Sequence, residues 1–379
     1  MKIDCVSLRK IFNSRGEETT EAVIFSGNKI GIGSSPSGLS VGSKEAKILD
    51  LDTGIKNFEN IKKVFCKDFT QESFDALLEK NLNYLGSNIT TALSFAFFNL
   101  DRENFARNSA AKLPYPLGNV VGGGKHSGKI DIQEILVLPV KAENIYEAIK
   151  TNFDIWKEIK ERYKSKFFGV NEEGALVMDL NNSEALEIVS ETARKYGAKV
   201  GIDLAATELF ANGYYIYKDK KISREEQIEL ISKWIKDFNL CYVEDPFEEN
   251  DFSSFRELTK KFKNKCLICG DDLFATNWKR LDNEIANSVI IKPNQVGTVS
   301  GAVKCIERAK ELNMIPVLSH RSGETCDTTI AFLSLLTPIA KFGISQIRVA
   351  KLNELIRIWD LLEICNKKPK KPKMQELSI

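Results

Sequence analysis

Apolar residues recur along this chain in two alternating rhythms. Between residues 287 and 325, an apolar run from Ser288 to Ile291 ends on Lys292, and Pro293 and Asn294 turn the chain outward. Beyond Gly297, Val299, Ala302, Val303, Ile306 and Ala309 share one helical face, the 3.6-residue period of a helix lying on a core. A second apolar run, Ile315 to Leu318, then delivers Ser319, His320, Arg321 and Ser322. Strand, helix and strand at this spacing predict a βαβ unit with parallel strands. Similar runs occur at Ile135–Leu138, Val200–Leu204, Cys241–Val243 and Leu267–Ile268, with amphipathic stretches between most of them. One stretch opens with a capping box, Ser223 to Glu226, and turns Ile228, Ile231, Ile235 and Phe238 inward. Another carries Ala185, Val189, Ala193 and Tyr196 on one face and stops at Gly197. Repeated βα units over about 250 residues predict a closed (β/α)8 barrel rather than an open doubly wound sheet.

The chain before this region has a different rhythm. Residues 1 to 34 read as three short strands, with turn signals at Asn13–Gly16 and Gly27–Asn28. A Ser- and Gly-rich stretch, Ser34 to Ser43, reads as a linker or a mobile active-site flap. Two helices are expected, at about Thr70–Leu82 and Ile89–Phe105. The expected organisation is therefore an α+β unit over residues 1–112, the barrel over 113–364, and a basic tail over 365–379 that solvation keeps disordered.

Composition narrows the function. Apolar residues make up 43% and charged residues 28% of the 379, with a net charge of +2, so neither nucleic acid nor a membrane surface is expected as a partner. No apolar run reaches membrane-spanning length. Asp4 and Arg9 fall where a signal peptide needs its apolar core, which predicts a cytoplasmic protein. Of eight cysteines only Cys266 and Cys269 form a C-x-x-C. The apolar run CLICG around them favours buried thiols over a redox or zinc pair.

Chemistry collects at the strand ends, where α/β barrels keep it. Asp203, Glu244 and Asp271 each close an apolar run in successive units. Three carboxylates converging on one mouth repel unless a cation joins them, and an all-oxygen set selects a hard ion, Mg2+ being the commonest. Lys292 follows one unit further on, where a nearby cation and burial are expected to lower its pKa towards that of a general base. The two histidines, His126 in GGGKHSGK and His320 in SHRSGE, stand in polar loops that suit site roles. The first of these loops lacks the spacing of a P-loop. A lysine at one strand end and His-Arg-Ser at the next suit an anionic small-molecule substrate.

These stretches together resemble the enolase family. The motifs are NSRG at 13–16, PSGLSVG at 36–42, GGGKHSG followed by IQEILVLP, GIDLAATELF, VEDPFEENDF, GDDLFATN, IIKPNQVGT, SHRSGET and AKLNELIRI, spanning nearly the whole chain in order. The resemblance implies an enolase-type (β/α)8 barrel preceded by an α+β domain. It also implies Mg2+-dependent, reversible dehydration of 2-phosphoglycerate to phosphoenolpyruvate in glycolysis and gluconeogenesis, by a homo-oligomer, dimer or higher. By the same resemblance Asp203, Glu244 and Asp271 match ligands of a first Mg2+, and Ser40 of the flap matches a ligand of a second. Lys292 matches the base; Arg321 and Ser322, with His320 beside them, match the substrate-binding segment; His126 and Glu134 match the acid side.

The chain also departs from the family pattern. The acid loop reads GVNEEGAL, in which Glu173 is the better match by the glycine that follows it and Glu172 the other candidate. The flap reads L-S-V-G where the family carries A-S-T-G. The stretch expected to hold a second active-site lysine reads PIAKFGISQIRVAKLN, and Lys341 is its candidate for the substrate carboxylate. Two other readings share these motifs: a divergent enolase-like enzyme acting on another carboxylate-bearing phosphorylated or hydroxy acid, and a non-catalytic enolase-like protein.

Overall fold

The computed structural model describes residues 1–38, 44–109, 112–124, 129–365 and 373–374. Strands Cys5–Phe12, Glu18–Ser26 and Lys29–Ser34 form an antiparallel sheet in chain order. Helix Ser87–Phe98 lies on this sheet, and all twelve of its residues are buried. Its approach is close enough that only glycine fits beneath it. A Cβ on Gly31 would overlap the Ala96 carbonyl, and one on Gly33 would stand 2.6 Å from the Ala92 oxygen. These two glycines share a strand face because they are two residues apart.

The single helix expected over 89–105 is instead two, Ser87–Phe98 and Arg102–Asn108. Asn99 stands at the break, where its side-chain amide donates to Ile32 O (2.6 Å) and Thr329 Oγ1 (2.8 Å). A further helix, Leu51–Ile61, was not expected, although Leu51, Ile55 and Phe58 recur at helical spacing; Asp50 caps its N-terminus.

The rest is a barrel. Its strands are the bent segment 115–122, then Glu134–Leu138, Lys199–Asp203, Tyr242–Glu244, Leu267–Gly270, Ser288–Ile291, Ile315–Ser319 and Ile339–Lys341. Tyr115–Pro116 pairs in parallel with Ile339–Lys341, and after Leu117 the same chain pairs through Gly118–Gly122 with Glu134–Leu138. The Leu117 amide donates to Ala340 O (2.9 Å) across this seam, closing the ring. A hairpin, Phe167–Val170 with Leu176–Met178, extends the sheet outside the ring.

One strand runs against the others. Glu134–Leu138 is antiparallel to both neighbours, because residues 123–133 are too few for the crossover of about a dozen residues or more that a parallel neighbour needs. The reversal puts its first residue at the mouth, and Glu134 pairs in register with Asp203.

Alternation sorts the strand residues. Leu136, Tyr242, Cys269, Ile290, Val317 and Ile339 fill the barrel interior, whereas Ile135, Ile202, Val243, Ile268, Val289 and Leu318 pack on the outer helices. Cys266 joins the outer core and Cys269 the inner one, since an offset of three puts them on opposite strand faces. Both are buried free thiols.

A buried carboxylate ties the N-terminal unit to the barrel. Asp75 accepts from the Ser300 amide (2.8 Å) and from Ser94 Oγ (2.7 Å), and Ser94 Oγ accepts from the Val299 amide (2.8 Å). The first turn of helix Val299–Glu311 is thus capped from outside as well as by its own Thr298. Among the described residues no helix is long and apolar enough to cross a membrane. The basic tail lies outside the described residues apart from strand Lys373–Met374, which pairs with Lys112–Leu113.

Candidate active site

Five candidate residues stand two positions from an inward-facing side chain of their strand. Glu134 shares the parity of Leu136, Glu244 that of Tyr242, Asp271 that of Cys269, Lys292 that of Ile290 and Lys341 that of Ile339. Period-two alternation therefore aims all five at the barrel axis. They meet at one mouth, in a cavity lined by Glu134, Glu173, Asp203, Asp271, Lys292, His320, Arg321, Ser322 and Lys341, among others. Ser40 and His126, both expected here, lie outside the described residues, as do residues 39–43 of the Ser/Gly-rich stretch.

The two lysines organise the acidic side. Lys341 is buried and donates to Asp203 Oδ2 (2.7 Å) and Glu244 Oε2 (2.8 Å), with Glu134 Oε1 at 3.4 Å. Burial pulls its pKa down, but Asp203, Glu134 and Glu244 outweigh that and hold it well above the ordinary value. Lys292 pairs with Asp271. Burial again lowers the lysine and Asp271 more than restores it. Asp271, raised by burial, ends below its ordinary value because Lys292, Arg321 and Lys341 draw it down. The lowered Lys292 pKa expected from the sequence is premised on a cation beside the amine, whereas here Asp271 touches it directly.

Carboxylates still outnumber cations at the mouth. Burial and Asp203 push Glu244 up to about 8 against the pull of Lys341. Burial pushes Glu134 well up, again against Lys341, with Glu173 and Asp203 adding to the rise. Asp272 rises to about 7 through burial and its neighbour Asp271. Glu244 Oε1 and Glu134 Oε2 are buried without a hydrogen-bond partner among the described residues. An orphaned carboxylate oxygen beside other carboxylates is a donor set that fits a hard divalent cation. The ligand atoms that approach within 4.8 Å of one another are those of Asp245, Asp271 and Asp272, and those of Glu134, Glu173 and His320. The expected set of Asp203, Glu244 and Asp271 is not among these groups; Lys341 bridges Asp203 and Glu244, and Lys292 pairs with Asp271.

The opposite wall carries the arginines. Arg321 is buried and grips the Glu45 carboxylate with Nη1 (2.9 Å) and Nη2 (3.1 Å). Its Nη1 also donates to Asn294 Oδ1 (3.3 Å). Ser322 Oγ accepts from Arg15 Nη1 (2.8 Å), and Arg15 also reaches Gly38 O (3.2 Å) at the base of the flap. His320 is buried, and its Nδ1 accepts from Arg348 Nε (2.8 Å). Burial first, then the Arg348 charge, hold its pKa well below the ordinary value, so the ring is neutral. In the acid loop Glu173 is buried, with Asn119 Nδ2 3.3 Å from its Oε2, and Glu172 is exposed. The structure thus brings Glu173 into the cavity and leaves Glu172 outside it.

Sequence reasoning missed four residues here. Asp245 sits at φ 40° and accepts from the amides of Asp271 and Asp272 (2.9 Å each), capping the strand end that carries Asp271. The dipeptide Glu244–Asp245 before Pro246 was its only signal. Arg15 lay within a quoted motif without a role. Glu45 and Arg348 carried no local signal, because their partners are far away in the chain.

Residues 110–369 match the family described as enolase, C-terminal TIM barrel domain. An enolase of Archaeoglobus fulgidus is 39% identical over 394 residues, covering 96% of this chain and 98% of its own. An enolase of Methanothermobacter thermautotrophicus is 37% identical over 400 residues, covering 94% and 96%. One of Methanosphaera stadtmanae is 39% identical over 402 residues, covering 95% and 97%.

Proposed function

The chain belongs to the enolase family, and on that premise we propose that it catalyses the Mg2+-dependent, reversible dehydration of 2-phosphoglycerate to phosphoenolpyruvate. The observation that most supports this reading is the convergence of Lys292, Lys341, Glu173 and Arg321 on one acid-rich cavity. The substrate is a carboxylate with a phosphate on one side and a hydroxyl leaving group on the other, and the cavity offers chemistry for each part.

Arg321 and Ser322 would hold the phosphate, a guanidinium being suited to bidentate oxyanion binding. Lys292 would take the proton beside the carboxylate. That proton is weakly acidic, and Lys341, buried at the same mouth, would oppose the negative charge that develops on the carboxylate. On the far side Glu173 would protonate the departing hydroxyl, with Glu134 and His126 on the same side. Burial raises the Glu134 pKa, the direction an acid-side donor needs. The neutral His320 ring can donate one hydrogen bond to the substrate without adding charge.

Asp203, Glu244 and Asp271 would hold a first Mg2+, and Ser40 would contribute to a second. Bound there, Mg2+ would supply Lewis-acid stabilisation of the charge developing on the substrate carboxylate. A cytoplasmic homo-oligomer, and a division of the chain near residue 112, belong to the same proposal.

The test is steady-state formation of phosphoenolpyruvate from 2-phosphoglycerate by the purified full chain with Mg2+. Turnover that chelator abolishes and Mg2+ restores is expected. A folded chain that binds Mg2+ yet forms no phosphoenolpyruvate would overturn the assignment in favour of a relative acting on another acid.

A further inference from the structure

Arg348 is fully buried and is the largest such side chain among the described residues. Its Nε donates to His320 Nδ1 (2.8 Å) and its Nη1 to the Glu172 carbonyl (2.7 Å). Its Nη2 donates to the carbonyls of Ser322 (2.8 Å) and Arg321 (3.2 Å). None of these partners is a carboxylate. A buried cation answered only by neutral acceptors is a poor device for stability, because desolvating the charge is costly and no opposite charge repays it.

The surrounding chain is built to admit it. Gly343 has φ 69°, and a Cβ there would lie 2.5 Å from Arg348 Cδ and 3.3 Å from the Glu173 carbonyl. Ser345 Oγ donates to Gly174 O (3.0 Å), and Gln346 Nε2 donates to Asn171 O (3.0 Å). The segment after Lys341 therefore docks along the whole acid loop. Both stretches depart from the family pattern in sequence, and they pack on each other.

We infer that Arg348 is a positioning residue: it fixes His320 as the tautomer protonated at Nε2 and locks the loop carrying Glu173 to the segment carrying Arg321 and Ser322. A guanidinium only donates, so the His320 Nδ1 that receives it carries no proton. The remaining proton of the neutral ring is on Nε2. The His320 ring lies with Glu134 and Glu173, ligand atoms within 4.8 Å of one another, so this tautomer decides whether histidine donates or accepts on the acid side. The same guanidinium holds the Glu172 carbonyl, one residue before Glu173, and so sets where that acid stands relative to the arginine wall.

The tautomer part stands on geometry alone, whereas the part concerning turnover rests on the proposed reaction. Because the chain contains only two histidines, two-bond 1H–15N spectra of 15N-histidine-labelled full-length protein resolve both rings, with a His126→Gln variant for assignment. In the wild type, His320 is expected as a single tautomer protonated at Nε2. Protonation at Nδ1, or averaging between tautomers, overturns the inference without any variant being needed.

Arg348→Lys and Arg348→Met are expected to release the tautomer. In both, kcat for 2-phosphoglycerate falls about 100-fold, the cost of a misplacement near 1 Å, while KM changes far less. Variants that are merely less stable, keeping the tautomer and kcat, also overturn it. A wild-type chain without turnover of 2-phosphoglycerate refutes the proposed reaction, and the spectra still decide the role of Arg348.

Discussion

Replacing Lys341 with methionine perturbs the acidic mouth most directly. The ammonium contacts Asp203, Glu244 and Glu134, all buried, and methionine keeps its bulk while removing its charge. Breaking a buried ion pair by deleting one partner costs about 3–5 kcal/mol. That cost has a signed pH dependence in metal-free protein. With Lys341 present, Glu244 is already raised to about 8, far above an unfolded glutamate at about 4.3. A carboxyl whose folded pKa is raised contributes stability at low pH and loses it as pH climbs towards the folded value.

Without Lys341, Glu244 keeps its proton to higher pH. Above about pH 8 the variant therefore loses a further ~1.4 kcal/mol per pH unit relative to the wild type. Urea denaturation with chelator, at pH 7 and at higher pH, reads both quantities, and added Mg2+ should recover part of the loss. Equal urea midpoints for the two proteins at both pH values would refute the reasoning. So would a gap that narrows as pH rises.

Three further outcomes follow from the same geometry. Asp271→Asn should weaken Mg2+ binding sharply and shrink the stabilisation that Mg2+ gives the wild type, both readable by titration calorimetry and thermal melts; an unchanged affinity would remove Asp271 from the shared site. Lys292→Ala should abolish exchange of the substrate's C2 proton with solvent while leaving substrate affinity largely intact, and exchange at the wild-type rate would assign the base elsewhere. Gly33→Ala forces a Cβ to 2.6 Å from the Ala92 oxygen and should destabilise by about 1–3 kcal/mol; a melting temperature equal to the wild type would mean that helix Ser87–Phe98 can lift without cost.

The packing of residues 343–348 on 171–174 gives the sequence departures a physical setting. An altered connection after Lys341 would be expected to disturb the strand end it leaves, yet Lys341 remains inside the barrel. Ser345 and Gln346 take hydrogen bonds to the acid loop, so a change in one stretch is accommodated by the other. Neither stretch can be judged alone, because the hydrogen bonds that define them run between positions about 170 apart in the chain.

Local chemistry was enough to determine much of this protein. Short apolar runs marked where the strands end, so Asp203, Glu244, Asp271 and Lys292 could be placed at one mouth from the chain alone, and Lys341 through the family resemblance of its stretch. Capping residues such as Ser223 with Glu226 fixed helix starts for the same reason, since both partners sit within one turn. Tertiary structure alone decided the rest. The reversed strand turned Glu134 from a strand start into a mouth residue, and the fold of the acid loop buried Glu173, already the better match by its following glycine, and left Glu172 exposed. Lys292 and Lys341 found carboxylate partners across the mouth, and Arg348, Glu45 and Asp75 found partners on distant segments. Periodicity and capping act between near neighbours in sequence, whereas charge pairing and buried hydrogen bonds act through space, and the chain's order does not record those distances.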